Sequence, residues 1–150
     1  MKLSEEFLLE VTFENRFNLE RHYADHVLRP NERFNPENPK FSYMSIEEYA
    51  RRAEELSNAD AGKSDSRENI VGFITERNGI ERIIKYKKHS SRRGFGEEVI
   101  YVDDEEKGHE IITYMMTRPG KLYRERKNFK RELPENVTNE ELIRAIRDSH

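Results

Sequence analysis

Cysteine is absent from this chain of 150 residues. That excludes a disulfide framework and any mechanism built on a thiolate. It fits a reducing compartment, so a cytoplasmic setting is expected. Long apolar runs are missing too. No stretch approaches the roughly 18 apolar residues that a membrane-crossing helix needs, and no membrane partner is expected. The opening MKLSEEFLLEV does not read as a signal peptide, because Glu5, Glu6 and Glu10 break any apolar core. Hydrophobic residues make up only 34% and charged residues 38%, against about a quarter charged in an ordinary domain. A small core with long polar edges follows. A large excess of either sign of charge is also missing: the formal net charge is −3, so the molecule as a whole is not a polyanion binder.

What is present reads as one α+β domain. Phe7, Leu9, Val11 and Phe13 alternate with other residues and predict an N-terminal strand. Asn18 is the candidate cap of a helix from about Leu19 to Leu28, stopped by Pro30. The proline- and asparagine-rich residues 29–40 read as a loop. Ser45 with Glu48 forms a capping box that opens a second helix, whose apolar positions Ile46, Tyr49, Ala50, Ala53 and Leu56 follow helical spacing. After the polar stretch SNADAGKSDSREN come the strand-like runs IVGFITE, IERIIKYKK, EEVIYVD and HEIITYMMT. RNG between the first two marks a tight hairpin. Strands without intervening helices predict an antiparallel meander, with the two helices packed on it. Residues 118–136 look irregular and basic, and Thr138 with Glu141 opens a short C-terminal helix.

Two features carry chemistry. The first is local positive charge. Arg82, Lys85, Lys87, Lys88, Arg92 and Arg93 give residues 82–93 a charge of +6 with no acid among them, and residues 118–131 carry a similar excess. Such patches suit phosphate binding, although lysine on strand edges also serves simply to discourage edge pairing. The second is the pair His22 and His26, four residues apart and so on one helix face. Three readings are open. The imidazoles could be core packing at the helix–sheet seam. They could be metal ligands, but a zinc site needs a third ligand, and Tyr23 stands where metalloproteases have glutamate. They could be an acid–base pair, since imidazole both takes and returns a proton near neutral pH. Metal-free RNA cleavage needs that function, together with donors or cations for the phosphorane. On HEIITYMMT, alternation puts His109, Ile111, Thr113, Met115 and Thr117 on one face, with Tyr114 on the other unless a bulge intervenes.

The order and wording of these parts resemble the barnase–EndoU–colicin–RelE-like nuclease superfamily, in its phage and polymorphic-toxin branches. Those domains look like a strand, a helix carrying H…KH, a loop, a helix beginning near eeY..A, and a meander ending in iiTy. The counterparts here are LERHYADHV, MSIEEYARRAEEL and EIITYMM, and the resemblance covers residues 7–117. It implies a nuclease domain over residues 1–117. Residues 118–150 would then be a basic linker and helix packed on that domain or extending from it. The resemblance further implies that His22, His26 and Thr113 are catalytic, with Tyr114 in the matching TY pair. The family often has a basic residue just before the second histidine, where this chain has Asp25. The cation is therefore expected from Lys85, Lys87 or Lys88. With Tyr114 and Arg118, these are the candidate substrate-binding residues.

The function expected is a metal-independent endoribonuclease of toxin or mobile-element type. No cofactor or metal is expected. RNA is the expected partner, and a toxin of this kind implies a cognate immunity or antitoxin protein. Two rivals come from other classes: a catalytically inactive relative that only binds RNA or protein, and a phage-type structural or accessory protein. Convergence of His22, His26 and Thr113 on one groove separates the first reading from both.

Overall fold

Four strands follow one another with no helix between them: β1 (Ile70–Arg77), β2 (Ile80–Lys88), β3 (Gly96–Asp104) and β4 (Gly108–Thr117). The structure is a computed structural model and describes residues 13–28, 41–60, 70–88, 96–104, 108–117 and 131–132. Each strand pairs antiparallel with the next. A two-residue strand, β5 (Arg131–Glu132), adds antiparallel to the outer edge of β1, and the sheet order is β4-β3-β2-β1-β5. The α+β meander is as the sequence predicts. β5 is not, because it lies in a stretch too polar to show alternation.

The β1–β2 turn is Asn78-Gly79, with φ of 54° and 79°. Positive φ at both central residues is the I′ pattern, whose twist matches that of the flanking strands. Gly96 opens β3 for a different reason. A Cβ there would stand 2.5 Å from the Lys87 carbonyl oxygen and 2.6 Å from the Tyr86 ring.

Helix α1 (Arg16–Tyr23) continues as a π-helical turn, Ala24–Leu28. Its cap is Asn15, whose side chain accepts from the Asn18 N–H at 2.7 Å. Asn18 is thus inside the helix, on its buried face, which corrects the capping role the sequence suggests. Helix α2 (Ile46–Asn58) starts as expected, with Ser45 Oγ accepting from the Glu48 N–H at 3.1 Å. Of the expected N-terminal strand, Phe13 alone is described. It makes a parallel bridge to Ile111, and the Glu14 N–H donates to the Ile111 carbonyl at 3.2 Å. Residues 7–12 and the stretch expected to form a C-terminal helix lie outside the described residues.

Both helices pack on one face of the sheet, over Ile74, Ile83, Val99, Tyr101, Ile111 and Tyr114. Tyr49 of α2 is the hub. Its ring meets those of Phe13, Tyr23, Phe41 and Tyr114 at centroid distances of 5.2–6.1 Å, and its hydroxyl donates to the Tyr114 carbonyl. Tyr23 donates to the Met44 carbonyl at 2.5 Å. The aromatic cluster therefore fastens the underside of α1 to the sheet. Among the described residues no helix is long and apolar enough to cross a membrane.

Candidate active site

The register of β4 decides where Thr113 goes. Ile100 of β3 faces Thr113, but Tyr101 faces Ile111, so Ile112 is an extra residue in β4. A β-bulge of this kind resets the alternation beyond it. Ile111, Tyr114 and Met116 consequently join the core row, and Thr113 falls outside it. Since β4 is the edge strand of the sheet and α1 lies beside it, Thr113 meets the helix at that edge. Its Oγ1 is 3.0 Å from His22 Nδ1 across 91 residues of sequence, and Thr113 is only 7% exposed.

His22 and His26 are both half-buried. Their rings lie parallel, 5° apart in plane with centroids 5.7 Å apart. The helix geometry accounts for this. An α-turn of 3.6 residues over-rotates residue i+4, whereas a π-turn holds more residues and under-rotates it. The pair spans the α–π junction, so the two rings come nearly into register. The peptide N–H of Phe41 donates to the His26 carbonyl at 3.2 Å and ties down the π-turn.

The tautomer of His22 follows from its neighbours. Arg21 Nη2 lies 3.5 Å from His22 Nε2, and a guanidinium can only donate. Nε2 is therefore the acceptor, the proton sits on Nδ1, and Nδ1–H donates to Thr113 Oγ1. Burial, aided by the Arg21 charge and opposed by Asp25, pushes the His22 pKa down to about 4. At neutral pH His22 is an uncharged imidazole with its Nε2 lone pair directed toward a cation. Arg21 is exposed and is a cation beside the pair that the sequence reading missed. The signal was available, since Arg21 directly precedes His22 just as a basic residue was sought before His26.

The expected substrate-binding residues do not gather here. Lys85 is fully buried. Its Nζ donates to the Ser57 carbonyl at 2.9 Å and to the Ala59 carbonyl, and stands 5.5 Å from the centre of the Tyr101 ring. It closes the C-terminal end of α2, where free carbonyls attract a cation. Burial pulls its pKa down to about 8, against the pull of the Asp103 and Asp60 carboxylates. Tyr114, also fully buried, stacks on Phe41 at 4.7 Å, so it is a core residue and not a platform for a base. Lys87 lines a separate cleft of about 220 Å³ with Arg52, Leu56 and Glu97. Lys88 is exposed. Arg118 lies outside the described residues. Among the described residues no group of three or more His, Asp or Glu side chains could hold a metal ion.

No family model, no curated protein and no solved structure matches this chain.

Proposed function

We propose that this chain is a metal-independent endoribonuclease of the barnase–EndoU–colicin–RelE-like type, using His22 and His26 as its acid–base pair. The observation that carries the reading is the 3.0 Å approach of Thr113 Oγ1 to His22 Nδ1, with His26 stacked beside it. In this reading Thr113 orients the imidazole, as the third member of a catalytic triad orients its histidine. His22 Nε2 takes the proton of a ribose 2′-OH, and that oxygen attacks the adjacent phosphorus. The bond from phosphorus to the 5′ oxygen breaks, and His26 delivers a proton to the leaving oxygen. The products are a 2′,3′-cyclic phosphate and a free 5′-OH. Arg21 and the remaining hydroxyl hydrogen of Thr113 stabilise the phosphorane charge.

A base whose conjugate acid has a pKa of about 4 is free at pH 7 but weak. A phosphate bound next to it would raise its proton affinity, because an opposite charge nearby favours the imidazolium. The substrate thus strengthens its own base. The intended partner is RNA, and a toxin of this kind would be held in check by a cognate immunity or antitoxin protein in the cytoplasm.

A second reading, a catalytically inactive RNA- or protein-binding relative, is favoured by one observation. Lys85, one of the three lysines from which the catalytic cation was expected, is committed to capping α2. The two readings part on a single experiment: total RNA incubated with the protein in EDTA, beside His22→Ala. The nuclease reading expects metal-independent cleavage with cyclic phosphate ends, lost in the variant. RNA retained on the protein without cleavage assigns the inactive relative.

A further inference from the structure

In a regular strand successive carbonyls point to opposite edges. At the β4 bulge they do not. The Ile111 carbonyl accepts from the Glu14 N–H at 3.2 Å, and the next carbonyl, that of Ile112, accepts from Asn18 Nδ2 at 3.2 Å. Two consecutive carbonyls therefore turn outward toward the segment that carries α1. The residue added by a bulge is left without a ladder partner, and here Asn18 supplies the missing donor.

Asn18 is built for that task. It is 7% exposed, and it sits one helical turn before His22, on the side of α1 that meets β4. Its amide nitrogen also reaches Glu14 Oε2 at 3.5 Å. Both partners are acceptors, which fixes the amide orientation with Nδ2 toward the strand. Its backbone N–H is held separately by the Asn15 cap, so the side chain is free to serve β4. Thr113 is the residue after Ile112, and its placement against His22 depends on the bulge that Asn18 completes.

We infer that Asn18 is the positioning residue of the histidine site: by taking the Ile112 carbonyl it holds the bulge, and through the bulge it holds Thr113 Oγ1 on His22 Nδ1. Its importance for catalysis rests on the nuclease reading. The positioning itself does not.

The test is side-chain ¹⁵N NMR of histidine-labelled protein at neutral pH. It compares the wild type with Asn18→Leu (similar in volume, no donor), Thr113→Val and the double variant. The wild type should show a His22 Nδ1–H proton that exchanges slowly with water, because Thr113 Oγ1 accepts it. Thr113→Val should lose that protection, Asn18→Leu should lose it as well, and the double variant should look no different from Thr113→Val. A merely structural role for Asn18 lowers the melting temperature and leaves the Nδ1–H protected. That result overturns the inference, as does an unchanged Nδ1–H in Thr113→Val. Should Asn18→Leu not fold, Asn18→Ala is read in the same way, and failure of both to fold assigns Asn18 to stability only. RNA cleavage, assayed separately, reports on the nuclease reading. A protein whose His22 Nδ1–H loses its protection in Asn18→Leu but which never cuts RNA keeps the positioning and loses the nuclease.

Discussion

His22 is drawn two ways. Burial and Arg21 keep it uncharged, while Thr113 holds one nitrogen and leaves the other facing a cation. In the nuclease reading His22→Ala should lower cleavage by about two to four orders of magnitude, the range for a positioned acid–base group, with the melting temperature little changed. Single-turnover rates on a short RNA, set beside thermal melts, check both halves. The pH dependence follows from the lowered pKa. The base must be unprotonated, so kcat/KM should rise with pH through about 4, well below the usual imidazole value of about 6.5. Stability runs in the same direction. Between pH 6.5 and about 4 the unfolded chain binds a proton that folded His22 refuses, so stability falls as pH falls through that window. Denaturation of wild type against His22→Asn at both ends of the window isolates this contribution. The i,i+4 spacing of the pair was legible in the sequence, because helical periodicity is local. The hydrogen-bond partner of His22 was only half legible: Thr113 could be named, but alternation alone put it in a row with Ile111.

At the scale of elements, Lys85 ties two of them together, joining the end of α2 to the central strand β2. Its folded pKa is lowered to about 8, below the ordinary lysine value of about 10.4. Between those two values the unfolded chain holds the proton and the folded chain releases it, so stability should rise with pH. The slope is at most about 1.4 kcal/mol per pH unit. Lys85→Met should flatten that rise, and chemical denaturation of both proteins from about pH 8 to 10 measures the difference. A slope that survives the substitution would assign the effect to other groups. Lys85 alternates in phase with Ile83, on the face that turned out to be covered. The adjacent Ile83 and Ile84 leave the inward phase of this strand open, and the run of positive charge around Lys85 suggests a surface. Burial of an amine is decided by acceptors brought from elsewhere, here the carbonyls of α2, and these have no signature in the strand.

At the scale of the whole sheet, the positive charge of the described β2 residues is more dispersed than the run at 82–93 suggests. Antiparallel register sets Lys87 opposite Glu97, and an opposite charge directly across a ladder offsets it. Glu97 also pairs with Arg52 at 3.4 Å. Of the three lysines in β2, Lys88 alone is exposed. Charge reversal should therefore split by position. In the nuclease reading, Lys88→Glu should weaken RNA binding at low salt without moving the melting temperature, and should reduce the log–log salt slope by about 0.7 if one single-strand phosphate contact is lost. Lys85→Glu should prevent folding, because it buries a carboxylate against carbonyl oxygens. Filter binding across a salt series and thermal melts distinguish the two. The sequence by itself determined the α+β class, helix α2 with its Ser45 cap, the Asn78-Gly79 turn and the histidine pair, since each rests on contacts within a few residues. Tertiary structure alone decided that Ile112 is an extra residue in β4, that Thr113 therefore leaves the core row for His22, and that Lys85 serves a helix end. A bulge is a mismatch in count between two strands, and an acceptor for a buried amine comes from another element, so neither is written in the segment it governs.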